Sequence, residues 1–132
     1  MLEIQEKFDI SGYGEIKDRA GIKNLHVTEA LNGEEVTGFI AYAYDSDRTF
    51  VYDYDDGGDI MLCDGLVRSV MFKSVLKGIE TLEFALDDSE KYKNLIKLKF
   101  LAENENICGN LNSFMNGCEN CKNNKGGDAD CQ

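Results

Sequence analysis

Long apolar segments are missing from this 132-residue sequence. No run approaches the roughly 20 residues that a membrane-spanning helix requires. The first residues, Met1–Glu6, are acidic and lack the basic region and apolar core of a secretory signal peptide. We therefore predict a cytoplasmic protein without a membrane span, in which the five cysteines are thiols or metal ligands instead of a disulfide framework.

Adjacent basic residues are missing as well. The 14 lysines and arginines include no two neighbours, and 25 acidic residues bring the formal net charge to −11. A helix would spread the one local group of lysines, Lys91, Lys93, Lys97 and Lys99, over more than one face. Binding to nucleic acid or to an anionic membrane depends on clustered positive charge, so we expect neither as a partner. An acidic surface instead attracts cations, such as small cationic amines.

Histidine is nearly absent, which limits the catalytic options. The single histidine, His26, lies in a predicted strand between Leu25 and Val27 and should face away from both. No serine or cysteine nearby in the sequence is placed to act with it as a nucleophile. We interpret His26 as a surface residue and assign it no role in a catalytic triad.

The first half of the chain has the pattern of an antiparallel meander. Residues 23–31, 36–43 and 49–54 are rich in alternating, β-branched and aromatic residues, which is typical of strands. Asn32-Gly33 matches the central pair of a type I′ hairpin turn. Asp45-Ser46-Asp47 predicts the next turn, because short polar side chains bond to nearby backbone amides.

The pattern changes after the acidic, glycine-rich turn at residues 55–59. Apolar residues then recur at spacings of three and four, which predicts an amphipathic helix ending near Leu76. Asp59 is placed to cap the start of this helix, and Gly78 to end it in a left-handed conformation. A strand over residues 79–86 follows, and we expect it to lie parallel to the strand before the helix.

The rest of the chain continues the alternation of helices and strands. Asp87 with Glu90 forms a capping-box pattern before a second helix that reaches about Lys99. A last strand is predicted over residues 100–107, with little regular structure from Asn116 onward. The sequence thus predicts one α+β domain over residues 1–107 and a cysteine-rich tail over residues 108–132.

Two segments of this predicted domain resemble the GNAT-type N-acetyltransferases. Asp64–Val70 followed by Lys77–Leu82 is similar to the central helix of that family and its fifth strand. Asn94–Phe100 is similar to the closing helix and its Lys-Leu-Gly-Phe ending, with Lys99 where glycine is usual. The resemblance covers about residues 23–107. It implies a mixed sheet in which an N-terminal antiparallel meander is followed by β-α-β-α-β.

The resemblance also implies a cofactor and a reaction. In the family, the pyrophosphate of acetyl-coenzyme A rests on backbone amides at the start of the central helix, where bare amides and the positive helix end attract anions. The corresponding residues here are Gly57, Gly58, Asp59, Ile60, Met61 and Leu62. The implied activity is an acyl-coenzyme A-dependent N-acylation of a small cationic amine.

A strand tyrosine often moves the proton in this family, and Tyr42, Tyr44, Tyr52 and Tyr54 alternate along two adjacent predicted strands. They would then line a cleft. Cross-strand packing of the four rings explains the same pattern. The sequence alone assigns no catalytic residue.

A second hypothesis is a non-catalytic binding or regulatory module with the same fold. Gly58 stands where the family has a basic residue, and Met61 and Cys63 stand where it has small residues. Several aspartates surround this turn, and a carboxylate beside a pyrophosphate opposes its binding. In this hypothesis the cysteine-rich tail anchors a metal or a partner.

The tail cysteines have a spacing that suits a metal. Cys118 and Cys121 form a C-x-x-C pair, and Cys108 and Cys131 lie nine residues outside it on either side. Four thiolates of this kind predict a tetrahedral zinc site. A redox dithiol, or a set of exposed thiols without a common ligand, would be compatible with the same spacing.

The acidic turn also resembles part of a calcium loop. Asp53, Asp55 and Asp64 take positions one, three and twelve of an EF-hand pattern, with Gly58 at position six. The segment that enters the turn is a predicted strand where an EF-hand has a helix. An acidic turn that caps the following helix explains the same residues.

Overall fold

The computed structural model describes residues 2–116, which form six strands and four helices. The strands are β1 (Leu2–Lys7), β2 (His26–Asn32), β3 (Glu35–Tyr44), β4 (Thr49–Asp55), β5 (Leu82–Phe84) and β6 (Ile107–Cys108). The helices are α1 (Gly14–Ala20), α2 (Ile60–Leu76), α3 (Glu90–Lys97) and α4 (Leu111–Asn116), and a 3-10 turn at Ser11–Tyr13 precedes α1. No helix in this part of the chain is long and apolar enough to cross a membrane.

The six strands lie side by side in chain order. Neighbours from β1 to β4 are antiparallel, β4 and β5 are parallel, and β5 and β6 are antiparallel again. Helix α2 makes the crossover between the two parallel strands. The structure therefore confirms the predicted α+β fold, a mixed sheet with an antiparallel meander followed by β-α-β-α-β.

Apolar side chains cover both faces of the sheet. The larger core lies between the sheet and α2, and α2 contributes one side chain to it at nearly every third or fourth position. These buried α2 residues are Leu62, Cys63, Leu66, Val67, Val70, Met71 and Ser74. A smaller core on the opposite face joins Ile16 of α1 to Leu25, Val27 and Ala41. The sheet is thus packed on both sides.

The caps predicted for α2 are present. Asp59 is the N-cap, and its carboxylate accepts hydrogen bonds from the amides of Met61 and Leu62. At the other end Gly78 has a φ of 79°, and its amide donates to the carbonyl of Val75. Only glycine adopts this left-handed backbone at little steric cost.

The hairpin between β2 and β3 differs from the prediction by one residue. Asn32 pairs with Glu35, so the turn residues are Gly33 and Glu34. Gly33 has a φ of 67°, whereas Asn32 and Glu34 have negative φ. A glycine at the first turn position is typical of a type II′ turn. The predicted type I′ turn at Asn32-Gly33 is wrong, although the hairpin itself is where the sequence placed it.

The start of α3 also differs in detail. Ser89 is the N-cap, and its side chain makes no capping bond. Asp88 instead accepts a hydrogen bond from the amide of Glu90 at 3.0 Å. Asp87 is not part of a capping box, because its carboxylate pairs with Arg19 at 2.9 Å.

The predictions missed the first strand and the first helix. β1 has only six residues, and α1 has seven, so neither contains enough periods for its pattern to stand out. The last strand is also shorter than predicted: within residues 100–107 only Ile107 is extended, and it continues into Cys108 of β6. Short elements of this kind are stabilised by their contacts with the rest of the domain.

Lys99 occupies the left-handed position at the end of α3, with a φ of 71°. Its side chain is exposed, so the backbone strain has no packing contact to offset it. We expect Lys99→Gly to raise the free energy of unfolding by about 0.5–1 kcal/mol. Relief of the left-handed backbone strain should outweigh the greater backbone entropy that glycine gives the unfolded chain. Urea denaturation would measure the change. Lys97→Gly, inside the helix, should instead lower stability by about 1 kcal/mol.

Candidate functional site

The turn between β4 and α2 folds back on its own backbone. Gly57 and Gly58 both have positive φ, at 61° and 83°. Their amides point at carboxylates of the same turn: Gly57 N donates to Asp55 Oδ1 and Gly58 N to Asp56 Oδ1, both at 2.9 Å. The amide of Asp59 donates to the carbonyl of Asp56, also at 2.9 Å. The groups that accept these three amide hydrogen bonds therefore all lie within the turn itself.

Asp59 continues this pattern into the helix. Its Oδ1 lies 2.9 Å from Met61 N and 3.4 Å from Leu62 N. Of the six backbone amides from Gly57 to Leu62, five thus already donate to an acceptor within residues 55–59. These are the amides that the family resemblance assigns to pyrophosphate. An anion could use them only by displacing the carboxylates and the two backbone carbonyls that the chain itself supplies.

A shallow pocket of about 340 Å³ lies beside this turn. Its lining includes Asp56 and Asp59 with Gly57, and Asn32 and Thr37 from the neighbouring hairpin. The basic residue that would attract phosphate is absent from this lining. The residues present therefore do not fit the pyrophosphate of acetyl-coenzyme A.

A β-bulge in β4 shapes the surface next to the turn. Val51 pairs with Tyr42 and Asp53 pairs with Ala41, so Tyr52 is an extra residue in β4. Its carbonyl accepts a hydrogen bond from Arg19 at 2.7 Å. The parallel pairing of β4 with β5 ends at Val51, immediately before the bulge. In an open sheet, the crevice where parallel strands separate at their carboxyl ends is the usual place for a ligand.

Residues of α3 contact β4 beyond the end of this pairing. Lys91 Nζ lies 2.7 Å from Asp53 Oδ1 and 2.7 Å from the carbonyl of Tyr54. In return, the hydroxyl of Tyr54 donates to the carbonyl of Lys91 at 2.6 Å. Asn94 Nδ2 donates to Asp56 Oδ2 at 3.0 Å, which ties α3 to the acidic turn. Most amides at the start of α2, and the polar groups of Asp53 and Tyr54, thus already have partners within the chain.

The four tyrosines do not line one cleft. Tyr42 is buried and shares a hydrogen bond with Thr28 at 3.0 Å, and burial raises the pKa of its hydroxyl. Because of the bulge, Tyr52 and Tyr54 lie on opposite faces of the sheet: Tyr54 packs in the larger core and Tyr52 in the smaller one. Burial also raises the pKa of Tyr54 far above its ordinary value. Packing explains these rings better than proton transfer does.

The two described cysteines are buried thiols. Cys63 belongs to α2 and Cys108 to β6, and burial raises the pKa of each to about 11. Both are protonated at neutral pH, which makes them weak nucleophiles in this state. Cys118, Cys121 and Cys131, the other predicted zinc ligands, lie outside the described residues, so the zinc site stays a prediction.

No group of three or more residues able to hold a metal forms within residues 2–116. Asp53 illustrates why the calcium hypothesis gains no support, since its carboxylate pairs with Lys91. Asp55 and Asp59 accept amide hydrogen bonds. The acidic turn therefore acts as a cap for α2.

One polar cluster was not predicted. Glu6 of β1 bridges Lys73 Nζ at 3.0 Å and His26 Nδ1 at 3.2 Å. Burial alone would raise the pKa of Glu6, but the hydrogen bonds from Lys73 and His26 lower it below its ordinary value. The ring of His26 stacks on Tyr42, with centroids 5.7 Å apart. The cluster joins β1 to α2, and the sequence carried no signal for it because the strand β1 was missed.

Comparison with known proteins supports the fold. No protein-family model matches the chain, and no curated protein sequence matches it. A solved structure from Desulfovibrio desulfuricans, assigned to the GNAT family of acetyltransferases, superposes with a TM-score of 0.58 and 11% identity. It covers 78% of this chain and 87% of its own.

A second solved structure is AtaT complexed with acetyl-methionyl-tRNAfMet. It superposes with a TM-score of 0.52 and 15% identity, over 87% of this chain and 98% of its own. Identities this low define a shared architecture and leave the activity open. The order of the strands, the crossover helix and both superpositions agree, and the chain has the fold of the GNAT-type N-acetyltransferases.

Proposed function

We propose that this chain is a non-catalytic binding module with the GNAT fold, which does not use acetyl-coenzyme A. The observation that carries the proposal is the self-capped turn: Asp55, Asp56 and Asp59 take the amides that would bind pyrophosphate. At the end of β4, Lys91 is bonded to Asp53 and to the carbonyl of Tyr54. In this module the scaffold is that of the GNAT fold, and internal carboxylates accept the amides that an anion site would need free.

Electrostatics support the same conclusion. A bound pyrophosphate would lie next to carboxylates instead of a basic side chain. Two like charges 4 Å apart repel by about 4 kcal/mol at the effective dielectric of a protein surface. Displacing Asp59 would also remove the cap of α2, which is worth about 1 kcal/mol. Affinity for the cofactor would have to overcome both costs.

The second candidate function is N-acylation of a small cationic amine by an acyl-coenzyme A. The shared fold favours it, and the net charge of −11 would attract a cationic substrate. It requires the turn at residues 55–59 to open and release its amides before the cofactor binds. The two functions therefore differ in one measurable property, which is affinity for acetyl-coenzyme A.

We expect isothermal titration of the full chain with acetyl-coenzyme A at about 1 mM to show no saturable heat, and the thermal unfolding midpoint to stay unchanged. A site with a Kd of about 10 µM would raise the free energy of unfolding by about 2.7 kcal/mol at that concentration. Such a shift is large enough to be seen without ambiguity. One equivalent of saturable binding would contradict the proposal and support the acyltransferase.

The matched variants are Asp59→Ala and Asp9→Ala. Asp59 accepts amide bonds in the turn at residues 55–59, whereas Asp9 accepts the amide of Ser11 far from it. Asp59→Ala frees the amide of Met61, whereas the amide of Leu62 keeps its 3.0 Å hydrogen bond to the backbone carbonyl of Asp59. Any gain in affinity for inorganic pyrophosphate should appear with this variant alone. Equal behaviour of wild type and Asp59→Ala toward pyrophosphate would show that the carboxylate does not block the amides.

A further inference from the structure

Strand β1 forms an open edge of the sheet. It pairs with β2 on one side, and no other strand of residues 2–116 covers its outer side. Natural edge strands are usually protected against pairing with another chain by short length, proline, a bulge, charged side chains or a covering segment. The chain has no proline, and the ladder between β1 and β2 runs from Leu2 to Lys7 without a register shift. Proline and a bulge are therefore missing from this edge, and its protection depends on its short length and on the charges of Glu3, Glu6 and Lys7.

The charges of β1 attract instead of repelling when the strand meets a second copy of itself. Side chains alternate between the two faces of a strand, and residues directly opposite each other must point to the same face. Two antiparallel copies related by a twofold axis must therefore pair with one residue opposite its own copy at the centre. With Gln5 opposite itself, Glu3 of each copy lies opposite Lys7 of the other on one face. Two pairs of opposite charges result from a single strand sequence.

The neighbouring registers are less favourable. Centring the pair on Glu6 would place two carboxylates directly opposite each other, which is destabilising. Centring it on Ile4 pairs a shorter stretch and brings no opposite charges together. The register centred on Gln5 also places the 89% exposed Phe8 opposite Leu2 of the other copy. The sequence of β1 thus favours one self-pairing.

Helix α2, which contacts β1, carries exposed apolar side chains. Met61, Phe72 and Leu76 are 71%, 55% and 70% exposed, and they share one face of the helix with Gly65 and Arg68. Ile4 of β1 lies against this face, because its Cδ1 is 3.5 Å from where a side chain on Gly65 would begin. A pair of six-residue strands alone buries too little surface for a stable interface, so this additional apolar area matters.

From this self-complementary edge and its apolar flank, we propose that the chain forms a homodimer through β1. The two copies pair antiparallel about Gln5 and join their sheets into one continuous sheet of twelve strands, twice the six that each copy contributes. The partner is a second copy of this chain because the charge pattern of β1 is complementary to itself. The dimer does not depend on whether acetyl-coenzyme A binds.

Sedimentation equilibrium of the full chain tests the assembly, at concentrations up to about 100 µM, where a dimer with a micromolar Kd is nearly fully formed. We expect the mass of a dimer. A monomer throughout this range would overturn the proposal.

A charge-reversal cycle tests the surface and the register. Glu3→Lys and Lys7→Glu each place like charges opposite one another twice per dimer, so each should weaken dimerisation about tenfold or more. The double variant Glu3→Lys/Lys7→Glu restores opposite charges and should restore the wild-type Kd. Both residues are exposed, so the fold itself should tolerate the changes, which circular dichroism would verify.

Glu34→Lys is the matched control, because it makes the same charge change on an exposed residue in the turn between β2 and β3. We expect its Kd to equal that of the wild type. Single variants that dimerise as tightly as Glu34→Lys would overturn the proposed surface. A double variant that stays as weak as the singles would overturn the pairing about Gln5.

Discussion

Gly38→Ala is expected to destabilise the chain by about 3 kcal/mol, at the upper end of the range for overpacking a closed site. Gly38 lies in the middle of β3, where a Cβ atom would be 2.5 Å from the carbonyl oxygen of Asp55 and 3.0 Å from a methyl group of Leu62. The first contact is with backbone, which cannot rotate away. The substitution would push the acidic turn off β3 and shift the start of α2.

Guanidinium denaturation of Gly38→Ala and Gly12→Ala would measure this effect. A Cβ atom on Gly12 meets no atom within 4 Å, and its φ is not positive, so Gly12→Ala should change stability by about 0.5 kcal/mol or less. Similar free energies of unfolding for the two variants would mean that the turn does not press against β3.

Phe84→Ala should be still more costly, at about 3–5 kcal/mol. Phe84 is fully buried in β5, a strand of three residues between β4 and β6. Its carbonyl also accepts hydrogen bonds from the hydroxyl of Tyr92 and from Asn106 Nδ2. A cavity at this position would therefore loosen α3 and the segment that leads to β6. For a domain of ordinary stability, about 5–15 kcal/mol, the loss is a large fraction of the total.

The matched variant is Phe84→Leu, which keeps most of the volume and should cost about 1 kcal/mol. Thermal unfolding monitored by circular dichroism would rank wild type, Phe84→Leu and Phe84→Ala in that order. A Phe84→Ala variant within about 1 kcal/mol of the wild type would contradict the close packing of β5, since a buried aromatic ring rarely leaves so small an effect.

Long, strongly periodic segments were the predictable part of the fold. The 17-residue helix α2 was found from its apolar spacing, and both of its ends were found from Asp59 and Gly78. Strands β2, β3 and β4 followed from alternation and from turn residues. β1 and α1 were not found, because a six-residue strand with exposed Glu3, Ile4 and Gln5 carries almost no burial pattern of its own.

The candidate site was predictable in its position and not in its contacts. The sequence shows that aspartates surround the turn, but which amide each carboxylate accepts depends on the left-handed backbone at Gly57 and Gly58. The contact between Lys91 and Asp53 spans 38 residues and forms only once α3 folds over the end of β4. The bulge at Tyr52 could not be predicted either, since a single extra residue cannot be recognised in an alternating pattern of residues.

The order of the strands in the sheet also bears on how the chain reaches its fold. Each strand lies beside the strand that comes next in the sequence, but only the connections from β2 to β3 and from β3 to β4 are short turns. Closing such short loops costs little entropy, so this part of the sheet is expected to form early. Each of the other connections contains a helix, and the crossover through α2 is the longest, because β4 and β5 meet only after the whole helix has been placed. The late, rate-determining event is therefore expected where those two parallel strands join.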